Sequence, residues 1–146
     1  MFKKRLKALK IPSDIGRLPT TCDKTTFGGF TAEQFKNFII IYARPCFHGL
    51  IPNQYYKNIV LLSESMELAC QHSISEDEIH FLTVTITAHH KGFAKLFGKW
   101  EVSVNFHMAM HIPVNIRDLE PCPGFWCFAF ERLNGELMGY PSSGRR

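Results

Sequence analysis

The sequence lacks two features that would place it in common functional classes. Its five cysteines are widely spaced and include no CxxC pair, so the chain carries no complete zinc knuckle. Their odd number, with no secretory segment ahead of them, predicts a reduced, intracellular compartment. The longest apolar run, Phe38–Ala43, is much shorter than the ~20 residues of a membrane-spanning helix. We therefore expect no membrane partner.

The residues that are present suit one globular domain. The chain has 146 residues, is 45% hydrophobic and contains thirteen phenylalanines, which is enough apolar surface for a core. The formal net charge is +4, and basic residues crowd the first ten positions, where they either contact nucleic-acid phosphates or form a solvated face. These residues are Lys3, Lys4, Arg5, Lys7 and Lys10.

A capping box with a flanking hydrophobic pair occurs twice in the chain. The first box spans Thr31 to Gln34 and the second spans Ser75 to Glu78, and each predicts the first turn of a helix. The apolar residues at the staple positions are Phe30 and Phe35 for the first box, and Ile74 and Ile79 for the second. This repeated pattern favours a mainly α fold, built as a helical bundle.

Apolar residues that recur at a helical period predict that the helices continue beyond these first turns. The first stripe continues to Pro45, and Pro52-Asn53 is expected to cap a second helix that runs through Cys70. The segment Phe81–Thr87 alternates as a strand would and is rich in β-branched residues, but the helical stripe around it, up to Phe97, is too long for a strand. The expected division of the single domain 1–146 is a basic helix and connector over 1–29, a helical core over 30–138 and an irregular tail over 139–146.

His107 and His111 are the clearest candidate metal ligands. At i and i+4 on a helix, their imidazoles leave the same face with the spacing that zinc needs from two ligands. A structural zinc site needs four ligands, so the pair is half a site. Packed or partly exposed histidines without a metal are the simpler interpretation, and Pro113 predicts a kink that would disturb the geometry. The residues that could complete a site within the chain are Cys122 and Cys127, or His89 and His90.

Glu131 is a carboxylate within an aromatic segment, Phe125–Gly135. On a helix it would border an apolar stripe, so it either reaches solvent or is held by a metal or a basic partner, because burying an unpaired charge is costly. The aromatic residues around it could stack nucleic-acid bases, although such density at helical spacing is more typical of a core. They are Phe125, Trp126, Phe128 and Phe130.

Four segments together carry a family resemblance. They are Pro12–Pro19, Gly29–Asn37, Asn105–His111 and Phe125–Gly135. From about Pro12 to its end the chain resembles the C-terminal part of CACTA-type (En/Spm) transposases, and the block Phe-Xaa-Phe-Glu-Arg-Xaa-Asn-Gly that ends at Gly135 is the most specific part.

The resemblance implies a DDE transposase on an RNase H-like core, in which an α-helical insertion precedes the final catalytic glutamate. This chain would be that insertion plus the glutamate-bearing helix. Glu131 would be the catalytic residue that helps to hold two Mg²⁺ or Mn²⁺ ions. His107 and His111 would be the histidine half of a zinc site like that of the related V(D)J recombinase core, and its CxxC half would either lie upstream of Met1 or have been lost together with the site. DNA and other transposase subunits are the implied partners, and the nucleus is the implied location.

The resemblance leaves half of the active site unaccounted for, because two catalytic aspartates are also needed. The four aspartates of the chain stand in a connector, in a loop, in a helix cap and near a helix end, and none follows a β-run. They are Asp14, Asp23, Asp77 and Asp118. The first hypothesis is therefore a transposase-derived fragment, related to DNA transposition and inactive alone. The second is a domesticated remnant that acts as a helical nucleic-acid-binding or protein-binding module.

Overall fold

A computed structural model of the chain describes residues 1–10, 15 and 30–125, and every regular element within these residues is helical. The mainly α fold is thereby confirmed for them. In chain order the elements are α1 (Phe2–Ala8), α2 (Ala32–Asn37), a π-helical segment (Phe38–Tyr42), α3 (Ala43–Phe47), α4 (Asn53–Ala69), α5 (Glu76–Phe97), a 3₁₀ turn (Lys99–Glu101), α6 (Val104–Ala109), α7 (Ile112–Asp118) and α8 (Cys122–Phe125).

Both predicted capping boxes are confirmed by side-chain hydrogen bonds. The amide of Gln34 donates to Thr31 Oγ1 at 3.2 Å, and the amide of Thr31 donates to the Gln34 side chain at 3.0 Å. The amides of Glu78 and Ser75 make the same reciprocal bonds, at 3.3 and 2.8 Å. These bonds satisfy amides that have no partner inside the first helical turn, so α2 and α5 begin where the sequence predicts.

The helix that begins at Ala32 continues past Pro45, where its apolar stripe was expected to end, and reaches Phe47 through the π-helical segment. Pro45 has no amide hydrogen, and in a regular α-helix its ring would clash with the carbonyl four residues earlier. The wider π turn lies just before it. Ser63 Oγ donates to the carbonyl oxygen of Ile39 in this segment at 2.7 Å, so a buried hydroxyl of α4 holds the π turn.

The expected cap at Pro52-Asn53 is wrong in detail. Asn53 is already the first residue of α4, and the capping position is Pro52, which makes no side-chain hydrogen bond. A proline supplies no side-chain acceptor, so α4 depends on packing rather than on a local cap for its start. Its far end agrees with the prediction, because Cys70 is the capping residue after Ala69.

Helices α4 and α5 run in opposite directions against each other. Tyr55, early in α4, meets the ring of Phe97 at the end of α5, with centroids 5.5 Å apart, and Ser65 Oγ lies 3.2 Å from Thr85 Oγ1. The strand-like segment 81–87 is helical, as favoured. Thr83 and Thr85 each donate their hydroxyl to a carbonyl one turn earlier, at 2.8 and 3.0 Å, which satisfies these groups inside the helix.

The apolar residues form two buried clusters along this helix pair. The first surrounds the π-helical segment and takes one face of α1, where the ring of Phe2 stacks on Phe47 at 5.2 Å and meets Phe38 edge-on at 6.4 Å. The second joins the end of α4, the start of α5 and α7 around Leu82 and Ile116. The basic N-terminal helix is thus docked on the bundle.

Pro113 lies next to an interruption between two helices, in agreement with the predicted kink. Helix α6 ends at Ala109 and α7 begins at Ile112, with Pro113 buried in the first turn of α7, where a missing amide hydrogen removes no intrahelical bond. An ion pair of 2.9 Å between Arg117 and Glu76 connects α7 to the start of α5. The predicted core beyond residue 125 and the tail over 139–146 lie outside the described residues.

None of the helices in the described ranges combines the length and the apolar character that crossing a bilayer requires.

Candidate functional site

The two candidate metal ligands lie side by side on the surface, at the junction of α6 and α7. His107 is in the last turn of α6, and His111 is the residue that caps α7. Both side chains are exposed, and their rings meet edge-on with centroids 5.2 Å apart. Ser103 Oγ caps the start of α6 by accepting from the Phe106 amide at 3.4 Å. The predicted common face therefore survives the break between the helices.

The described residues bring no third ligand to this pair. Within residues 1–10, 15 and 30–125, no three side chains of His, Cys, Asp or Glu come together in a group that could hold a metal ion. Burial raises the pKa of the Cys122 thiol, which disfavours the thiolate that binds zinc. Cys127, the other cysteine considered for a site within the chain, lies outside the described residues. Among the described residues, the pair could therefore supply at most two of the four ligands of a tetrahedral zinc site.

Of the alternative completing ligands, His89 lies in the interior and His90 is half-buried beside it. His89 is 5% exposed, and its Nδ1 is 3.0 Å from the carbonyl oxygen of Asn58. A second hydrogen bond joins the same two residues, because Asn58 Nδ2 donates to the carbonyl oxygen of His89 at 2.9 Å. Burial lowers the pKa of His89, and the nearby imidazole of His90 lowers it further, against the raising effect of the hydrogen bond to Asn58. His89 is therefore a neutral core residue that fixes the register of α4 and α5.

The basic residues of the first ten positions divide into two groups. Lys4 and Lys10 are exposed and free to meet a polyanion. Arg5 is half-buried, and its guanidinium donates to the carbonyl oxygen of His48 and, at 3.5 Å, to that of Cys46. These bonds hold α1 against the end of α3, so Arg5 has a structural role. The side chains of Lys3 and Lys7 lie outside the described part of the chain.

Glu131 lies outside the described residues, as do Trp126, Phe128 and Phe130. Of the four aspartates, Asp77 is in the first turn of α5 and Asp118 is the last residue of α7. Both positions agree with the sequence prediction of a helix cap and a helix end. Neither follows a strand, since the described residues contain none.

Comparison of the chain with protein-family models, with curated proteins and with solved structures found no match. The resemblance to CACTA-type transposases therefore remains a prediction that rests on the sequence segments themselves.

One close contact between α4 and α5, that of Asn58 with Gly92, was missed by reasoning from the sequence. Asn58 occupies space that is open only because residue 92 is glycine: a Cβ at Gly92 would stand 2.5 Å from Asn58 Nδ2. A glycine in the interior of a 22-residue helix was the available signal, because such a residue lowers helix stability and commonly marks a close approach of another group.

Proposed function

We propose that this chain is the helical part of a CACTA-like transposase and that it is inactive as an isolated chain. The observation that supports this best is the exposed pair of imidazoles at the junction of α6 and α7. Adjacent imidazoles can each give a nitrogen to a zinc ion and leave two coordination positions for ligands from elsewhere. The CxxC half that the resemblance implies would supply them.

The surroundings of the pair favour a ligand half that is completed from outside. Both rings are exposed, so an incoming segment can reach them without unfolding the bundle. Buried Pro113 and the Ser103 cap fix the helix ends on which they stand, and such preorganisation limits the entropy lost on binding. Zinc would then join this helical surface to a cysteine-bearing segment.

Zinc competition against a chromophoric chelator tests this proposal, with a synthetic peptide that carries one CxxC as the second component. Protein and peptide together are expected to hold zinc more tightly than either alone, since four ligands then replace two. His107→Ala and His111→Ala should each remove the gain, whereas His72→Ala, a control at an exposed histidine, should retain it. One tightly held zinc per chain without peptide, or full retention in His107→Ala, would contradict the half-site.

The catalytic part of the proposal has a separate test. Glu131 is one of three carboxylates that a two-metal site needs, so the purified chain is expected not to nick DNA with Mn²⁺. Nicking that disappears in Glu131→Gln would show this to be wrong. Reading the transcript upstream of Met1 should reveal two strand-borne aspartates and a CxxC in frame, and their absence would leave only the binding module described next.

The second candidate function is a helical nucleic-acid-binding module, favoured by the docking of α1. Phe2 and Arg5 hold this helix on the bundle, so Lys4 is presented from a fixed surface, and Lys10 follows two residues after the end of the helix. Binding through phosphates is sequence-independent and weakens with salt, by a slope of about −0.9 in log K against log salt for each contact with duplex DNA.

Fluorescence anisotropy with a duplex over a range of salt concentrations measures this slope. Replacing Lys4 and Lys10 with alanine should weaken binding uniformly across sequences and reduce the slope by about 1 to 2. A matched control replaces Lys91 and Lys95, which are exposed on α5, and should leave the slope unchanged. If the two double variants change the affinity and the slope equally, binding depends on net charge and not on the N-terminal lysines.

A further inference from the structure

The rings of His107 and His111 are separated as two ligands of one zinc ion would be. Their centroids are 5.2 Å apart and their planes cross at 81°. Two imidazoles that share a tetrahedral zinc ion at about 2.1 Å have ring centres about 5.2 Å apart, because each centre lies just beyond its ligating nitrogen. The bundle therefore holds the two exposed rings at the separation that zinc would impose, although the described residues bring no third ligand to them.

The face of α6 that carries this pair is apolar and open to solvent. Val104 and Met108 share that face, because residues at i, i+3, i+4 and i+7 lie on one side of a helix. Val104 is 77% exposed and Met108 is 57% exposed. The opposite side of α6 packs inward through Phe106, whose ring stacks on that of His89. Two apolar side chains therefore flank the imidazoles in solvent.

The segment that forms this face also lacks fixed charge. From Val102 to Ile116 the sequence contains no lysine, arginine, aspartate or glutamate. A second copy of the segment could approach the first without like-charge repulsion, and the apolar side chains of both copies would leave water together. A two-fold axis brings the same residues from both sides. The face thus suits an identical partner, which also carries a second pair of imidazoles.

We propose that the exposed face of α6 binds a second copy of the chain around one shared zinc ion. His107 and His111 of each copy would supply four imidazole nitrogens, which complete the tetrahedral shell that one copy half fills. The two-fold axis would pass through the metal, and Val104 and Met108 would pack beside it on their counterparts. This inference rests on the proposed half-site and names its partner when no cysteine-bearing segment is bound.

Sedimentation velocity on the full chain, with zinc as the only added metal, tests this inference. The chain should be a monomer in EDTA, form a dimer that holds one zinc ion per two chains, and return to a monomer when EDTA is restored. His107→Ala and His111→Ala should stay monomeric with zinc, whereas His72→Ala, at an exposed histidine, should dimerise as the parent chain does. A parent chain that stays monomeric with zinc, a dimer that persists in EDTA, or dimerisation of His107→Ala would overturn the inference.

A charge variant locates the contact between the two copies without removing a ligand. Met108→Lys sets two like charges near each other across the two-fold axis, so dimerisation should weaken by about tenfold or more. Val84→Lys, at an exposed apolar position on α5, should dimerise as the parent chain does. Equal dimerisation of Met108→Lys and the parent chain would place the contact elsewhere and refute the assignment.

The CxxC peptide separates failure of the dimer from failure of the half-site. Met108→Lys keeps both ligands and should hold zinc together with the peptide as tightly as the parent chain does. If the parent chain holds zinc with the peptide but never dimerises with zinc alone, only the dimer is refuted. If it holds no zinc under either condition, the half-site is refuted as well.

Discussion

Replacing Gly92 with alanine should destabilise the protein, against the ordinary effect of this substitution in a helix. Alanine is favoured over glycine in a helix interior by about 1 kcal/mol. Here, however, the new Cβ would stand 2.5 Å from Nδ2 of Asn58, a distance at which something must move. Asn58 is 7% exposed and is bonded to the carbonyl oxygen of His89, so the amide has no free direction in which to turn.

The magnitude follows from three contributions. Overpacking in a tight core costs about 1–3 kcal/mol, and loss of the bond from Asn58 to His89 costs about 0.5–1.5 kcal/mol. The gain in helix propensity offsets about 1 kcal/mol. The net loss in the free energy of unfolding is therefore about 0.5–3.5 kcal/mol, which is destabilising across the whole range.

Urea unfolding followed by circular dichroism measures this on four proteins: the parent chain, Gly92→Ala, Asn58→Ala and the double variant. With Asn58 shortened, the obstruction is gone, and Gly92→Ala should stabilise by about 0.5–1 kcal/mol. The change of sign between the two backgrounds is the expected result. If Gly92→Ala stabilises both backgrounds alike, Asn58 does not occupy the space beside Gly92 and the reasoning is wrong.

Two further predictions concern a cap and a titration. Ser75→Ala removes the acceptor for the Glu78 amide and should lower the free energy of unfolding by about 1 kcal/mol, whereas Ser73→Ala, an exposed control outside the box, should change it little. Burial lowers the pKa of His89 in the folded protein from its ordinary value of 6.5. The contribution of His89 to the free energy of unfolding is therefore complete above that pH. It is lost as the pH falls below it, because the unfolded chain then binds the proton first. The urea concentration at the unfolding midpoint should decrease as the pH is lowered from about 7.5 to about 5. An NMR titration of His89 centred at or above its ordinary pKa would contradict this.

Features set by neighbours along the chain were predictable from the residues. The starts of α2 and α5 depend on hydrogen bonds that span three residues, so their recognition needs no knowledge of the rest of the fold. Pro113 likewise marked the break after α6. That the rings of His107 and His111 lie on one side followed from helical spacing, because the short turn between α6 and α7 preserves this arrangement, whereas their exposure is known only from the fold.

Features that depend on how distant segments meet were not predictable. The apolar stripe predicts helix only as far as Pro45, and the fold carries the helix past this residue with a π turn that Ser63 of α4 stabilises. His89 and His90 were candidate zinc ligands until the register of α4 and α5 placed Asn58 against one of them and an apolar cavity beside both. The same register places Asn58 beside Gly92, where a side chain at residue 92 would leave no room for it. Local hydrogen bonds can be inferred from adjacent residues, whereas side-chain contacts between two helices depend on their relative rotation and translation, which only packing across the whole bundle determines.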